Sequence, residues 1–82
     1  MNRDYILWNL KEAAEALSGI IAEVEDNPDY EDVELMIALQ HLYHHVNTAW
    51  NAREASPAAV EECSEENFAL WRAFPDDIPM GV

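Results

Sequence analysis

The chain has little of the chemistry that catalysis, phosphate binding or covalent cross-linking requires. Its only glycines are Gly19 and Gly81, so no glycine-rich phosphate loop is present. The single cysteine, Cys63, excludes an internal disulfide and is typical of a protein from a reducing compartment. None of the serines lies in a nucleophile-elbow pattern. The sequence therefore gives little support to an enzymatic role.

Basic residues are also scarce, because four Lys and Arg face 17 Asp and Glu and give a formal net charge of −13. Such a charge repels nucleic-acid phosphates and anionic membranes, which predicts no direct binding to either. No purely apolar run is long enough to cross a bilayer. The first residues are amphipathic from the start and lack the separate basic and apolar regions of a secretion signal. We expect a cytoplasmic protein.

What the chain does have is helical periodicity, since its apolar residues recur at spacings of three and four. This spacing predicts helices over about residues 4–25 and 31–53, separated by a turn at Asn27-Pro28-Asp29. The apolar stripe of the first helix is Leu7, Leu10, Ala14, Leu17, Ile21 and Val24, and that of the second is Met36, Leu39, Tyr43, Val46 and Trp50. We expect an antiparallel helical hairpin in which both stripes are buried.

A shorter third helical segment follows the hairpin. Ser56-Pro57 is a typical helix start, and Pro75 ends the pattern, which predicts a helix over about residues 57–74. Ser64 offers a second start, so two short helices are the alternative. Residues 75–82 are predicted to form an extended tail. The fold class is thus all-α, with residues 1–74 forming one helical domain.

The most unusual segment is residues 35–52, which contain no formally charged side chain in a strongly acidic protein. Its outer face has uncharged polar groups where an open surface normally has Lys and Glu. We therefore expect this helix to be covered on most sides and predict a homodimer in which two hairpins form a four-helix bundle. The predicted interface or polar cluster is His41, His44, His45, Asn47, Trp50 and Asn51. The matching function is protein–protein interaction, as a small adaptor or regulator.

The histidines support a second hypothesis, a site for a divalent transition metal. His41 and His45 are one helical turn apart and therefore share a face, as two metal ligands on one helix do. In the predicted hairpin Glu12 and Glu15 come near them and supply carboxylates. The sequence lacks the Glu-x-x-His pairs of di-metal bundles and the His-Glu-x-x-His motif, so packing or interface histidines without a cofactor are the favoured interpretation.

A third hypothesis uses the acids, because seven carboxylates fall within residues 23–34. A protein with this charge could imitate nucleic acid and occupy the binding site of a basic protein.

The aromatic residues carry a separate structural prediction. In the hairpin register Trp8 and Trp50 come close together, where Trp71 and Phe74 could cover them as one aromatic plug, or where one Trp could anchor an interface.

Overall fold

The computed structural model describes residues 1–81, and this part of the chain is helical with no strand. Its four helices are α1 (Arg3–Asp26), α2 (Asp32–Asn51), α3 (Pro57–Glu62) and α4 (Glu65–Arg72). The all-α prediction is confirmed. Within the same residues, no helix is sufficiently long and apolar to cross a membrane.

Local hydrogen bonds define both ends of α1. The Asn2 side chain caps the start of α1 by accepting a hydrogen bond from the Tyr5 backbone N–H. At the other end Asn27 is extended, and its side-chain oxygen accepts from the Asp29 N–H at 3.0 Å, across Pro28. This Asx turn separates α1 from α2.

The third segment is two helices, so the continuous helix predicted over residues 57–74 is wrong. Ser56 caps α3 through the Ala59 N–H, and Ser64 caps α4 through the Asn67 N–H, both at 3.1 Å. Between them Cys63 adopts a left-handed conformation with a φ of 41°. A residue in this conformation ends a helix, and the Ser64 hydroxyl then starts the next one.

Helix α2 is the central element and packs against both α1 and α4. The start of α1 is joined to the segment after α2, because the Asn2 backbone N–H donates to the Arg53 carbonyl at 2.7 Å and its side-chain amide donates to Ala55 at 3.1 Å. Further along α1, Asn9 contacts His45 of α2. The start of α1 thus lies beside the segment that follows α2, and Asn9 lies beside His45.

The molecule is more open than a compact domain of its size. Its accessible surface is 6224 Å² for a mass of 9.4 kDa, whereas a folded monomer of that mass exposes about 5,000 Å². The Cα radius of gyration is 14.4 Å, against about 12 Å for a compact chain of this length. A large share of the helical surface thus has no covering layer.

The buried residues are small or polar, and the large apolar residues lie outside. The buried set is Ala13, Ala49, Ala52 and Trp71 together with Asn9, His45, Asn47 and Thr48. The predicted core stripe of α1 is exposed, and so are Met36, Tyr43 and Val46 of the α2 stripe, which corrects the prediction that both stripes are buried. Helix α1 instead contacts α2 through the sector of Asn9 and Ala13, which lies about 100° around the helix from the stripe. Small side chains such as Ala13 and Ala49 let two helices approach closely.

Candidate functional site

A buried hydrogen bond between α1 and α2 joins Asn9 to His45. His45 is 5% exposed and Asn9 is 1% exposed. Their Nδ1 and Oδ1 atoms lie 3.0 Å apart. Asn9 also donates from Nδ2 to the Tyr5 carbonyl at 3.0 Å, which fixes the orientation of its amide.

This orientation decides the protonation of His45. Because Asn9 Oδ1 can only accept, the hydrogen bond requires the proton on His45 Nδ1. Burial lowers the pKa of His45, repulsion from His44 and His41 lowers it further, and Glu12 opposes the shift. We infer that His45 is neutral at pH 7, with its proton on Nδ1 and Nε2 unprotonated.

The rings of the three histidines lie close together on α2, in edge-to-face and tilted orientations. The His45 ring centroid lies 4.8 Å from that of His41 and 4.7 Å from that of His44. Burial lowers the pKa of His44, and the nearby His41 and Arg72 lower it further. The structure thus brings the rings of His41, His44 and His45 together on one helix.

The metal hypothesis does not gain from this cluster. Glu12 is close enough to His45 to influence its pKa, as the predicted register requires. Within residues 1–81, however, no group of three or more His, Cys, Asp or Glu side chains is placed to hold a metal ion. His41, His45, Glu12 and Glu15 are therefore not assembled into a ligand set, and Nδ1 of His45 is engaged by Asn9.

Asn47 and Asn51 attach α4 to α2. The Asn47 side chain donates to the Arg72 carbonyl at 2.9 Å. The Asn51 side chain donates to the carbonyls of Trp71 at 2.9 Å and Ala73 at 2.6 Å, where α4 ends. Both amides thus bond the unpaired carbonyls that a helix terminus leaves. The hydrogen bonds of Asn47 and Asn51 are made within the chain.

The tryptophans are distributed over separate contacts. Trp8 meets His45 edge to face at 5.6 Å, and buried Trp71 packs on Tyr5 at 6.0 Å. Trp50 lies under the Arg53 guanidinium at 3.7 Å and donates to the Asp77 carboxylate at 2.9 Å. The described residues show no aromatic contact between Trp8 and Trp50, so the single aromatic plug is not what the structure forms.

Two apolar surfaces remain uncovered. The first, which we name the α1 stripe, comprises Leu7, Leu10, Leu17, Ile21 and Val24 with Ala14, and its large side chains are 46% to 55% exposed. The second is a groove between α2 and α4 with a volume of about 710 Å³. Aromatic side chains of Tyr43, Phe68 and Phe74 border it.

Two buried polar residues were not singled out from the sequence. Asn9 lies in the sector of α1 that faces α2, and a polar residue there is a usable signal once the register is known. Thr48 is 1% exposed, and its hydroxyl has no partner among the described residues. Thr48 gives no comparable sequence signal of burial, because both polar and apolar residues surround it in α2.

Comparison with known proteins adds no functional assignment: no protein-family model, curated protein or solved structure matches this chain.

Proposed function

We propose that the protein is a small acidic interaction module that acts as a homodimer, in the role of an adaptor or regulator in the cytoplasm. The observation that carries this proposal is the α1 stripe, in which five large apolar side chains are each about half exposed. Soluble monomers rarely leave such a contiguous apolar surface open. The hydrophobic effect therefore favours a second helical surface over it.

The free energy available from covering the stripe is substantial. Full burial of a Leu, Ile or Val side chain is worth roughly 1.5–3 kcal/mol. Covering the exposed half of each one is thus worth on the order of 1 kcal/mol per side chain and per subunit. A domain of this size has a total stability of only about 5–15 kcal/mol, so assembly would change its stability markedly.

The spacing of the stripe fits a second copy of the same helix. From Leu7 to Val24 the steps are three, four, three, four and three residues, a series that is identical in both directions. Antiparallel pairing around a two-fold axis then places Leu7 opposite the partner's Val24 and Leu10 opposite the partner's Ile21. A two-fold contact of this kind uses the same patch on both subunits.

The charges of α1 favour the same antiparallel arrangement. Its first half contains Arg3 and Lys11 balanced by Asp4 and Glu12, whereas its second half contains no base and ends with Glu23, Glu25 and Asp26. Parallel pairing would bring the acidic ends together. Antiparallel pairing brings each acidic end towards the partner's neutral half, which lowers the repulsion between two chains of the same sign.

The rest of the chain is compatible with a four-helix bundle of two antiparallel hairpins. At 100° per residue, Leu35, Leu42 and Val46 of α2 lie in the sector beside the α1 stripe. Val46 is 43% exposed. The polar residues that hold α4, Asn47 and Asn51, lie in a different sector of α2. In this arrangement α4 stays on the outside of the bundle.

The experiment that tests the proposal is a charge substitution within the stripe. Leu17→Glu places a carboxylate at the centre of the contact, and we expect it to convert the dimer to a monomer in sedimentation velocity at micromolar concentration. Leu70→Glu is the matched control, because Leu70 is 62% exposed on α4 and lies outside the stripe. A wild-type chain that sediments as a monomer at this concentration would refute the homodimer.

The other two hypotheses have no structural observation in their favour. The metal site lacks an assembled ligand set within residues 1–81. The acidic imitation of nucleic acid stays a prediction based on charge alone.

A further inference from the structure

The contact between α2 and α4 contains an ionisable group, the imidazole of His44. Its ring centroid lies 5.0 Å from that of Phe68 on α4. The guanidinium of Arg72, one turn further along α4, lies 5.0 Å from the same Phe68 ring. Protonation of His44 would therefore place a second positive charge near Arg72, within the surface that joins the two helices.

The Nδ1 atom of His44 is buried and has no hydrogen-bond partner within the described residues. A neutral imidazole with its proton on Nε2 has only a lone pair on Nδ1. The imidazolium carries a proton on both nitrogens, so its Nδ1–H would be a buried donor without an acceptor. Such a donor gives up its hydrogen bond to water without a replacement, which destabilises the docked state. The surroundings of His44 thus favour the neutral ring over the charged one.

The histidine cluster contains no carboxylate that offsets a charge on His44. The neighbouring rings on α2, His41 and His45, are themselves cationic when protonated. The acid that α1 contributes, Glu12, acts on His45. The charged neighbours of His44 are instead His41 and Arg72, and together with burial they lower its pKa.

The acids of α4 do not supply the missing counter-charge. Glu65 and Glu66 lie in the first turn of α4, whereas Arg72 lies in its last turn. Neither acid forms an ion pair within residues 1–81, and neither alters the pKa of His44. The charge that α4 brings to His44 is therefore positive.

Helix α4 depends on its contact with α2 because it is short. It has eight residues, and a helix of this length is not stable alone in water. The preceding α3 has no buried residue, and α4 is held by Asn47, Asn51 and its own buried Trp71. Release of α4 would therefore leave the hydrogen bond between Asn9 and His45 in place.

We propose that His44 makes α4 a pH-responsive arm, which docks on α2 near neutral pH and leaves it when His44 is protonated. Release exposes the imidazole to water and relieves the burial that lowers its pKa. The released state thus binds more protons at acidic pH, and by linkage a fall in pH favours it. The side of α2 with Asn47 and Asn51 then becomes accessible. His44 lies about 160° around α2 from Val46, so the arm is separate from the α1 stripe and does not rest on the homodimer.

The test is a pH titration of the isotope-labelled chain by NMR. Between about pH 7.5 and about pH 5, we expect the amide signals of residues 65–72 to move to the positions of an unfolded segment, while those of α1 keep their helical positions. His44→Phe keeps a ring against Phe68 and cannot be protonated, so its α4 should stay docked at both pH values. His41→Gln is the matched control, because it replaces an exposed histidine of the same helix. Its α4 should still be released by acid.

A second variant tests the charge argument without a change of packing at His44. Arg72→Glu places a carboxylate where the wild type has a guanidinium, so it should stabilise protonated His44 and keep α4 docked at about pH 5. Acid release of α4 from this variant as readily as from the wild type would overturn the proposal.

Three further outcomes would also overturn it. The first is an α4 in the wild type whose signals do not change with pH. The second is acid release of α4 from His44→Phe, which would assign the transition to another group. The third is a loss of the α1 signals together with those of α4, which would show that acid unfolds the whole chain.

Discussion

The imidazole Nδ1 of His45 lies 3.0 Å from the amide oxygen of Asn9, which joins residues 36 positions apart at the centre of the α1–α2 contact. Both side chains are more than nine-tenths buried. Substitution of either residue would leave a buried polar group of the other without its hydrogen-bond partner. A polar pair at this position therefore defines how α1 sits on α2 more specifically than the surrounding alanines can.

Asn9→Ala should destabilise the fold by about 1–3 kcal/mol, because His45 would keep a buried N–H without an acceptor. Urea unfolding followed by circular dichroism measures the change. Asn67→Ala is the control, since the Asn67 side chain makes no hydrogen bond in the described structure, and its effect should stay within about 0.5 kcal/mol. The single variants Asn9→Leu and His45→Leu and their combination complete the test: the combination should cost less than the sum of the two single losses, and a fully additive double variant would show that the two residues do not interact.

Stability should fall as the pH drops below neutrality. The unfolded chain protonates His44 and His45 near their ordinary pKa of 6.5, whereas the folded chain does so at lower pH because burial and neighbouring positive charge lower both pKa values. The unfolded state thus binds more protons between these pKa values, and the free energy of unfolding decreases as the pH falls through that window. The urea midpoint should be lower at about pH 5 than at about pH 7.5, and His45→Gln should reduce the difference. The same slope in His45→Gln would assign the effect to other groups.

Asn51→Ala should release α4 while α1 and α2 stay packed. The amide of Asn51 bonds two carbonyls at the end of α4, and the loss of these bonds should cost about 1–2 kcal/mol. Hydrogen exchange should show faster exchange in residues 65–72 and little change in α1. Gln40→Ala is the control, because Gln40 is exposed on the same helix and has no hydrogen bond of this kind. Equal exchange in α4 of both variants would refute the role of Asn51.

A charge exchange tests the antiparallel direction of the proposed dimer. Arg3→Glu and Glu25→Arg should each weaken the dimer by about 0.2–1 kcal/mol, because each brings like charges together across the contact. The combined variant should recover the affinity, since the opposite charges meet again. Sedimentation equilibrium at low salt measures the three dissociation constants. A combined variant as weak as the sum of the single ones would show that Arg3 and Glu25 do not face each other across the contact and would contradict the antiparallel register.

Cys63→Gly should raise the stability by a few tenths to about 1 kcal/mol. Cys63 has a φ of 41°, a left-handed conformation that costs a residue with a Cβ about 1–2 kcal/mol. Glycine adopts it without this cost but loses more entropy on folding, which reduces the net gain. Cys63→Val should instead be less stable than the wild type, since a β-branched side chain tolerates this conformation poorly. Thermal unfolding ranks the three chains.

Much of the local structure could be predicted because it depends on neighbouring residues. The end of α1 before Pro28 follows from the missing proline N–H, and the start of α3 at Ser56-Pro57 follows from a capping hydroxyl. The division at Cys63 could be seen only as an alternative, because the Ser64 cap and a continuous helix are both compatible with the same residues. The left-handed conformation that decided between them involves a cysteine, which has no preference for it.

The candidate site was predictable in part. The proximity of His41 and His45 follows from their spacing of four on a helix, whatever lies around them. The partner of His45 was not predictable, because it depends on which sector of α1 meets α2. Asn47 and Asn51 were expected at an interface and do bond across one, but the helix they meet is α4 of the same chain.

The sequence by itself determined that the chain is helical, where its long helices begin and end, and which side chains share a face, because these properties depend on residues within one or two turns. Only the tertiary structure decided which face is covered. A spacing of three and four describes a stripe equally well whether the helix that covers it comes from the same chain or from another. In α1 the face that contains the buried residues Asn9 and Ala13 packs on α2. The stripe that contains Leu10 and Leu17 stays uncovered, because α4 packs on another side of α2.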